Sequence, residues 1–469
     1  MMNNEQAFNE ETMRQARAEV NRLVQTRALT RLRETLSGYA PPQLAELLGA
    51  LPLEDQVIAF RVLPRDLEAE VFEYLPLPEQ EQLLKALAQE DVARIINEMS
   101  PDDRTLLLEE LSANVTRQLL ALLTPEERQI AVNLLGYPAD SVGRLMTPDY
   151  ISVRREWTVQ QVLDHIRAHG QDSETLSMIY VVDERGVLID DIRNRSFLLA
   201  PLAARVADLM DNRFAALKAT DDQETAVRVI QREDRYALPV TDSAGVLLGI
   251  VTIDDVLDVA EAEATEDIQK LGGVEALDEP YMQIGLLQMI RKRAGWLVIL
   301  FLSEMLTATA MGFFENEIAR AVVLALFVPL IISSGGNSGS QAATLVIRAL
   351  ALEEIKLRDW WRVMRREVLS GLALGSILGV LGFLRISIWS AFSNVYGEHW
   401  LLVALTVGFS LIGIVLWGTI CGSMLPFALR RLGFDPATSS APFVATLVDV
   451  TGLVIYFTIA AVLLRGTLL

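Results

Sequence analysis

A chain of 469 residues is too long for one hydrophobic core, and its 51% hydrophobic content sits beside a formal net charge of −20. The two properties belong to different halves: from residue 281 onward there are 14 basic and 10 acidic residues, which leaves 27 and 51 for the first 280 and a net charge there of −24. A strongly acidic region joined to an apolar one excludes a nucleic-acid footprint and favours cations or basic surfaces as partners.

The lone cysteine, Cys421, allows neither an intrachain disulfide nor a thiolate zinc site, so the acidic half suits a reducing cytosol. The opening Met1-Met2-Asn3-Asn4-Glu5 lacks the apolar core of a cleavable signal, and targeting is expected from apolar segments downstream. His165, His169 and His399 form no nucleophile and base constellation and no Walker-type loop is present, so the chain is not expected to be an enzyme.

Residues 31–135 carry helical periodicity punctuated by proline. Leu51-Pro52, Leu63-Pro64 and Leu75-Pro76 recur every twelve residues, and Ser100-Pro101 and Thr124-Pro125 continue at double that step. Proline fits the first turn of a helix, where its missing N–H has no partner anyway. Ser100 with Asp103 and Thr124 with Glu127 have capping-box spacing or its aspartate variant. Short repeated helices cannot bury an apolar face alone and should stack into a superhelical scaffold.

After Gly143 the pattern changes to two copies of a unit of roughly 60 residues. Leu145-Met146-Thr147 opens the first and Leu209-Met210-Asp211 the second, and each runs through an amphipathic helix into a strand, turn and strand. Residues 178–183, the turn 184–186 and 187–189 match 237–242, the turn 243–245 and 246–252. With Gly249-Ile250-Val251-Thr252-Ile253-Asp254, this resembles a pair of CBS domains. The resemblance implies α/β modules that often bind adenine nucleotides, with Thr252 and Asp254 as candidate contacts. Val187-Leu188-Ile189-Asp190-Asp191-Ile192-Arg193 in the first copy has no matching Gly-x-x-Thr, which leaves one nucleotide site or a purely structural pair.

An acidic helix follows from Asp254. Asp255 and Asp258 are three apart, as are Glu263 and Glu266, so each pair shares a face and repels itself unless cations intervene. Oxygen ligands without His or Cys suit Mg²⁺ or Ca²⁺; the plainer reading is a solvated acidic helix.

Apolar runs long enough to cross a bilayer lie at 296–313, 321–346, 368–389, 400–425 and 441–464. Five spans put the two ends on opposite sides. Arg291, Lys292, Arg293, Arg348, Lys356, Arg358, Arg362, Arg365, Arg366, Arg430 and Arg431 fall on one face, against Arg320, Arg385 and Arg465 on the other. The positive-inside rule then places the acidic N-terminal half in the cytoplasm and the C-terminus outside. The run 333–341, Ser-Ser-Gly-Gly-Asn-Ser-Gly-Ser-Gln, is read as a polar interruption of the second span, either a tight helix crossing or a source of oxygen ligands. Asp449 sits near the middle of the fifth span beside Thr446, Thr451 and Gly452, where a charge is costly and marks a pathway unless an arginine pairs with it. Glu304 is a second carboxylate in a span, read as nearer its span's end than Asp449.

Taken together, the order of parts is similar to the MgtE family of magnesium channels. The strongest matches are the acidic helix through Glu266-Asp267 with Lys270-Leu271-Gly272, then Gly335-Gly336-Asn337, Asp435-Pro436-Ala437 and the segment 442–452 around Asp449. The resemblance implies a homodimer in a cytoplasmic (inner) membrane whose pore, lined by the second and fifth spans, binds hydrated Mg²⁺ at Asp449, the Ala445 carbonyl and Asn337. It further implies closure by intracellular Mg²⁺ at Asp255, Asp258, Glu263, Glu266 and Asp267, with ATP as a second ligand at the CBS pair. The expected fold is multidomain: an N-terminal extension (1–30), an all-α helical-repeat domain (31–140), two α/β CBS domains (141–204 and 205–262), a connecting plug helix (263–285) and an all-α five-span pore domain (286–469). A divalent-cation carrier and a membrane-anchored Mg²⁺ sensor are the competing classes; the first would call for inverted repeats, and the second leaves Asp449 unexplained.

Overall fold

The computed structural model describes residues 2–468 apart from 172, 278–280, 283 and 394, and the side chains of 2–12 and 66 are left aside. The expected N-terminal extension and connecting segment therefore lie partly outside the described side chains and residues. The chain forms two compact units, Met1–Ala260 and Glu261–Leu469.

In the first unit a long helix, Met2–Gln25, is followed by short helices from Leu29–Leu36 to Pro125–Leu135. Isolated helices of this length are marginal in water, so the stability must come from stacking. Leu32, Leu36, Leu44, Phe60, Phe72, Leu83 and Ile95 form one continuous core through the stack. Proline starts these helices in two ways. Pro101 and Pro125 take the first helical position as expected, but Pro52, Pro64 and Pro76 stand one residue earlier, as the cap itself. Thr124 caps as predicted, accepting from Glu127 N at 3.2 Å, whereas the Ser100 hydroxyl donates to Asp103 Oδ2 at 2.8 Å.

Two three-stranded sheets of one design follow. Strand β1 (Ser152–Val153) pairs parallel with β2 (Met178–Val182), which pairs antiparallel with β3 (Leu188–Arg193); β4 (Leu217–Lys218), β5 (Ala237–Thr241) and β6 (Leu247–Thr252) repeat the order. Helices Val159–His169 and Gln223–Glu233 start on side-chain caps from Thr158 and Asp222. The two hairpin turns pair across the copies, Leu188 N with Gly245 O and Leu247 N with Gly186 O, both at 3.0 Å. The first copy's departure from Gly-x-x-Thr has a structural cause. Asp190 takes the place of Gly249, is fully buried, and accepts backbone N–H bonds from Asp191, Asp211 and Asn212, each at 3.0 Å. At Gly249 the Thr147 carbonyl fills that space, 2.6 Å from where a Cβ would stand.

The second unit holds five long apolar helices: Leu286–Phe313, Val322–Ala351, Leu357–Phe392, Trp400–Arg431 and Ala441–Leu463, referred to here as the first to fifth spans. The second is broken near its start, at Leu326-Phe327, but its polar run does not interrupt it. Helix Val328–Ala351 is continuous through 333–341, because glycine and serine can stay helical where neighbouring helices press on them. The third and fourth spans approach through Gly371, Gly375 and Gly379, and the second and fourth through Gly422, where a Cβ would stand 2.0 Å from the Gly339 carbonyl oxygen. A methyl there has to push two backbones apart. Gly422→Ala should therefore cost about 1–3 kcal/mol, read as a lower thermal midpoint in detergent, and an unchanged midpoint would disprove the close crossing.

Candidate cation pathway and acidic cluster

Small residues bring the second and fifth spans together around Asp449. A Cβ on Gly336 would lie 3.3 Å from the Ala445 Cβ and 3.4 Å from Asp449 Oδ1, so glycine lets the carboxylate rest against the neighbouring helix. Gly335 and Gly339 pack likewise against Val448 and Val444. The glycines and the polar side chains of this run lie on different faces. The glycines make the tight crossing, while Ser333, Asn337, Gln341 and Thr344 form an exposed polar stripe at helical spacing. Asn337 Nδ2 donates to Ser333 Oγ at 3.3 Å within that stripe. No arginine or lysine pairs with Asp449 among the described residues.

One helix, Ile253–Leu271, carries Asp254, Asp255, Asp258, Glu263, Glu266 and Asp267, so the expected boundary at 262/263 falls inside a helix, and the connecting segment is helical only to Leu271. The structure separates these residues into different surroundings. Glu266 ion-pairs with Lys270, whose Nζ also lies 2.7 Å from Asp435 Oδ2 in the turn before the fifth span. Those two carboxylates hold the Lys270 ammonium well above its usual range, against the opposing effect of its burial. Asp258, Glu263 and Asp267 make interactions of their own.

Asp255 belongs to an acidic cluster assembled from distant segments of the first unit. Asp102 and Asp103 open helix Pro101–Glu110, Asp254 and Asp255 open Ile253–Leu271, and Glu73 and Glu174 join from a helix end and a loop. Two helix N-termini lend partial positive charge, yet this falls short of balancing so many carboxylates. Burial first, and mutual repulsion after it, push Asp102 well above the carboxylate range; Asp255 and Asp103 are raised for the same reasons, and Glu73 reaches about 7. Asp102 Oδ1 is buried without a hydrogen-bond partner among the described residues, although neighbouring Asp103 has Ser100 and Asp255 accepts from Thr252 Oγ1 at 2.7 Å. Among the described residues no three acidic, His or Cys side chains are close enough to ligate one ion directly.

Of the nucleotide candidates, Thr252 is buried and committed to Asp255, and Asp254 faces the acidic cluster, a poor neighbour for phosphate. Sequence reasoning missed a different group. Arg235 Nη2 lies 3.0 Å from Asp191 Oδ1, and the buried Tyr180 hydroxyl beside Asp191 has no hydrogen-bond partner among the described residues. Burial raises Asp191 to about 6 despite the arginine. The signal available was the acidic pair Asp190-Asp191 between the apolar residues Leu188, Ile189 and Ile192 of one strand. Asp102 and Asp103 were missed because nothing local distinguishes them from an ordinary acidic first turn.

Five helices long and apolar enough to cross a membrane, joined to a duplicated α/β pair, define a multi-pass membrane protein. Family models agree in each part: the MgtE divalent cation transporter model matches residues 328–459, the MgtE intracellular N domain 39–140, and the CBS domain 142–196 and 206–262. The magnesium transporter MgtE of Thermus thermophilus is 44% identical over 75% of this chain and 76% of its own length, and that of Enterococcus faecalis 32% over 72% and 73%. A solved cytosolic domain of the Mg²⁺ channel MgtE in complex with ATP is 35% identical, covering 52% of this chain and 99% of that one, with a TM-score of 0.50. The soluble part of a magnesium transporter gives 26%, 54%, 99% and 0.51. The chain belongs to the MgtE family of divalent cation transporters, with a helical N domain, a CBS pair and five membrane helices.

Proposed function

We propose that this protein is a Mg²⁺-selective channel that works as a homodimer in the cytoplasmic (inner) membrane, admits Mg²⁺ and is closed by Mg²⁺ on the side of its acidic half. The observation that carries the reading is Asp449, unpaired at the crossing of two spans, together with the exposed polar stripe Ser333, Asn337, Gln341 and Thr344. Polar side chains do not face hydrocarbon at such spacing without a cost, so a second copy and water are their natural neighbours. Asp449, the Ala445 carbonyl and Asn337 hold the hydrated ion. Mg²⁺ sheds water reluctantly, and carboxylates acting through that water favour it over larger, more easily stripped ions.

Closure follows from the acidic cluster. With Mg²⁺ bound, Asp102, Asp103, Asp254, Asp255 and Asp258 stay together; without it they repel, and the equilibrium moves to the state in which they are apart. Glu263, Glu266 and Asp267 act on the same helix nearer the pore, where the Lys270 link to Asp435 steadies the helix end. The basic loops favour the acidic half in the cytoplasm and the C-terminus outside. ATP is proposed as a second ligand of the CBS pair on the strength of the 35%-identical ATP complex, with Tyr180, Asp191 and Arg235 in place of Thr252 and Asp254.

The test is Mg²⁺ flux into proteoliposomes at low and high Mg²⁺ on the acidic-half side. Flux at low Mg²⁺ that falls as Mg²⁺ rises there is expected. A parent protein that carries no Mg²⁺ at low Mg²⁺ overturns the reading.

A further inference from the structure

The first span carries a carboxylate, Glu304, that the pathway described above does not use. The helix bearing it is registered against the fifth span at both ends. Trp296 Nε1 donates to Ser440 Oγ at 3.1 Å and its ring lies 6.1 Å from that of Phe443; Phe314 stacks on Phe457 at 4.9 Å. The two helices therefore run parallel. Counting from the Trp296–Phe443 contact, Glu304 is eight residues on and Asp449 six, a rise of about 12 Å and about 9 Å. Counted back from Phe314–Phe457 the numbers are ten and eight, and the mismatch is again about 3 Å. The two carboxylates thus share one depth, although the sequence reading placed Glu304 nearer a span end. At about 100° per residue, both also turn to the same side of the line joining the helices.

Further observations point the same way. Glu304 is close enough for its charge to act on Asp449. It is exposed on the chain, with no ion-pair partner among the described residues, a position that hydrocarbon tolerates badly. Thr307, one turn further on, is 6% exposed, and its hydroxyl has no hydrogen-bond partner among the described residues. A buried threonine in a helix normally bonds the carbonyl four residues back.

We infer that Glu304 is a second cation-coordinating carboxylate, set opposite Asp449 at one depth, and that the two hold hydrated Mg²⁺ between the first and fifth spans with Thr307 as a neighbouring oxygen. This rests on the pore reading of Asp449 and adds the first span to the conduction path. Two carboxylates raise affinity for a divalent ion more than for a monovalent one, since the attraction scales with the ion's charge.

Flux measured against external Mg²⁺ for the parent, Glu304→Gln and Glu304→Asp tests it. Removing one charge that acts through water should raise half-saturating Mg²⁺ about tenfold, with a smaller fall in maximal flux, and aspartate should recover most of the shift. A role in packing alone would lower maximal flux and leave half-saturation in place, which overturns the inference. So does a Glu304→Gln channel that saturates like the parent while Asp449→Asn is inactive, an outcome that spares the pore reading. A second measurement stands apart from flux: Glu304→Cys, on a Cys421→Ala background, treated with a charged methanethiosulfonate in proteoliposomes. Modification slowed by millimolar Mg²⁺ supports the assignment even if the parent conducts nothing. A thiol that stays unmodified, or whose modification ignores Mg²⁺, places Glu304 away from the ion path.

Discussion

Asp449→Asn should reduce Mg²⁺ flux by at least about a hundredfold without lowering the protein's stability. The two halves of that expectation come from one observation. The carboxylate has no basic partner among the described residues and rests against a glycine-lined crossing inside a membrane span, where an uncompensated charge costs free energy. Only a cation recovers that cost. At an effective dielectric constant between water and protein interior, a doubly charged ion several ångströms from a carboxylate gains about 2–4 kcal/mol. Asparagine keeps the size and hydrogen bonding and removes the attraction. Flux in proteoliposomes and the thermal midpoint in detergent, measured on the same preparation, read both halves. A variant that still conducts, or one that unfolds earlier while losing flux, would assign Asp449 to packing rather than to permeation.

The second large effect is expected at Asp102. Asp102→Asn should raise the Mg²⁺ concentration that halves flux by about tenfold or more, leave maximal flux intact, and stabilise the Mg²⁺-free protein. Asp102 is buried, one of its oxygens is unbonded, and Asp255, Asp103 and Glu174 all press on it with like charge. Its pH dependence has a definite sign. A carboxyl whose pKa is higher folded than unfolded keeps its proton longer in the folded state, so the stability it lends is full below the unfolded range near 4 and is lost as pH climbs through the folded value. For Glu73, moving from 4.5 to about 7, that loss amounts to about 3 kcal/mol. On the proposed closure Mg²⁺ displaces these protons, so the rise in thermal midpoint that it produces should be much larger at pH 8 than at pH 5.5 in the parent and smaller at pH 8 in Asp102→Asn. Equal Mg²⁺ stabilisation at both pH values would show that the cluster is not where the cation acts.

Glu266 carries a different expectation, although the sequence puts it in the same acidic series. Its partner is Lys270, which also holds Asp435, so neutralising Glu266 loosens a link at the helix end instead of relieving a buried repulsion. Spacing along one helix groups Asp255, Asp258, Glu263 and Glu266; the chain that folds around them divides the group.

What the sequence determined by itself is whatever depends on local periodicity or on total transfer free energy. The five apolar runs, the proline-started helices, the duplicated strand–turn–strand and the cost of Asp449 in its span are properties of contiguous residues, and they hold whatever the neighbours are. The tertiary structure decided which faces meet. Asp102 and Asp255 are more than 150 residues apart, and only the docking of one helix start beside another turns two ordinary acidic first turns into a buried, repelling pair. The run from Ser333 to Gln341 reads as an interruption because its residues are poor helix formers in water, yet packing against Val444, Val448 and Gly418 keeps it helical and sorts its glycines from its amides. Glu304 and Asp449 share a depth only because tryptophan and phenylalanine contacts at both ends set the register of two parallel helices. Side-chain contacts of that kind are made across space, and no pattern along one segment encodes them.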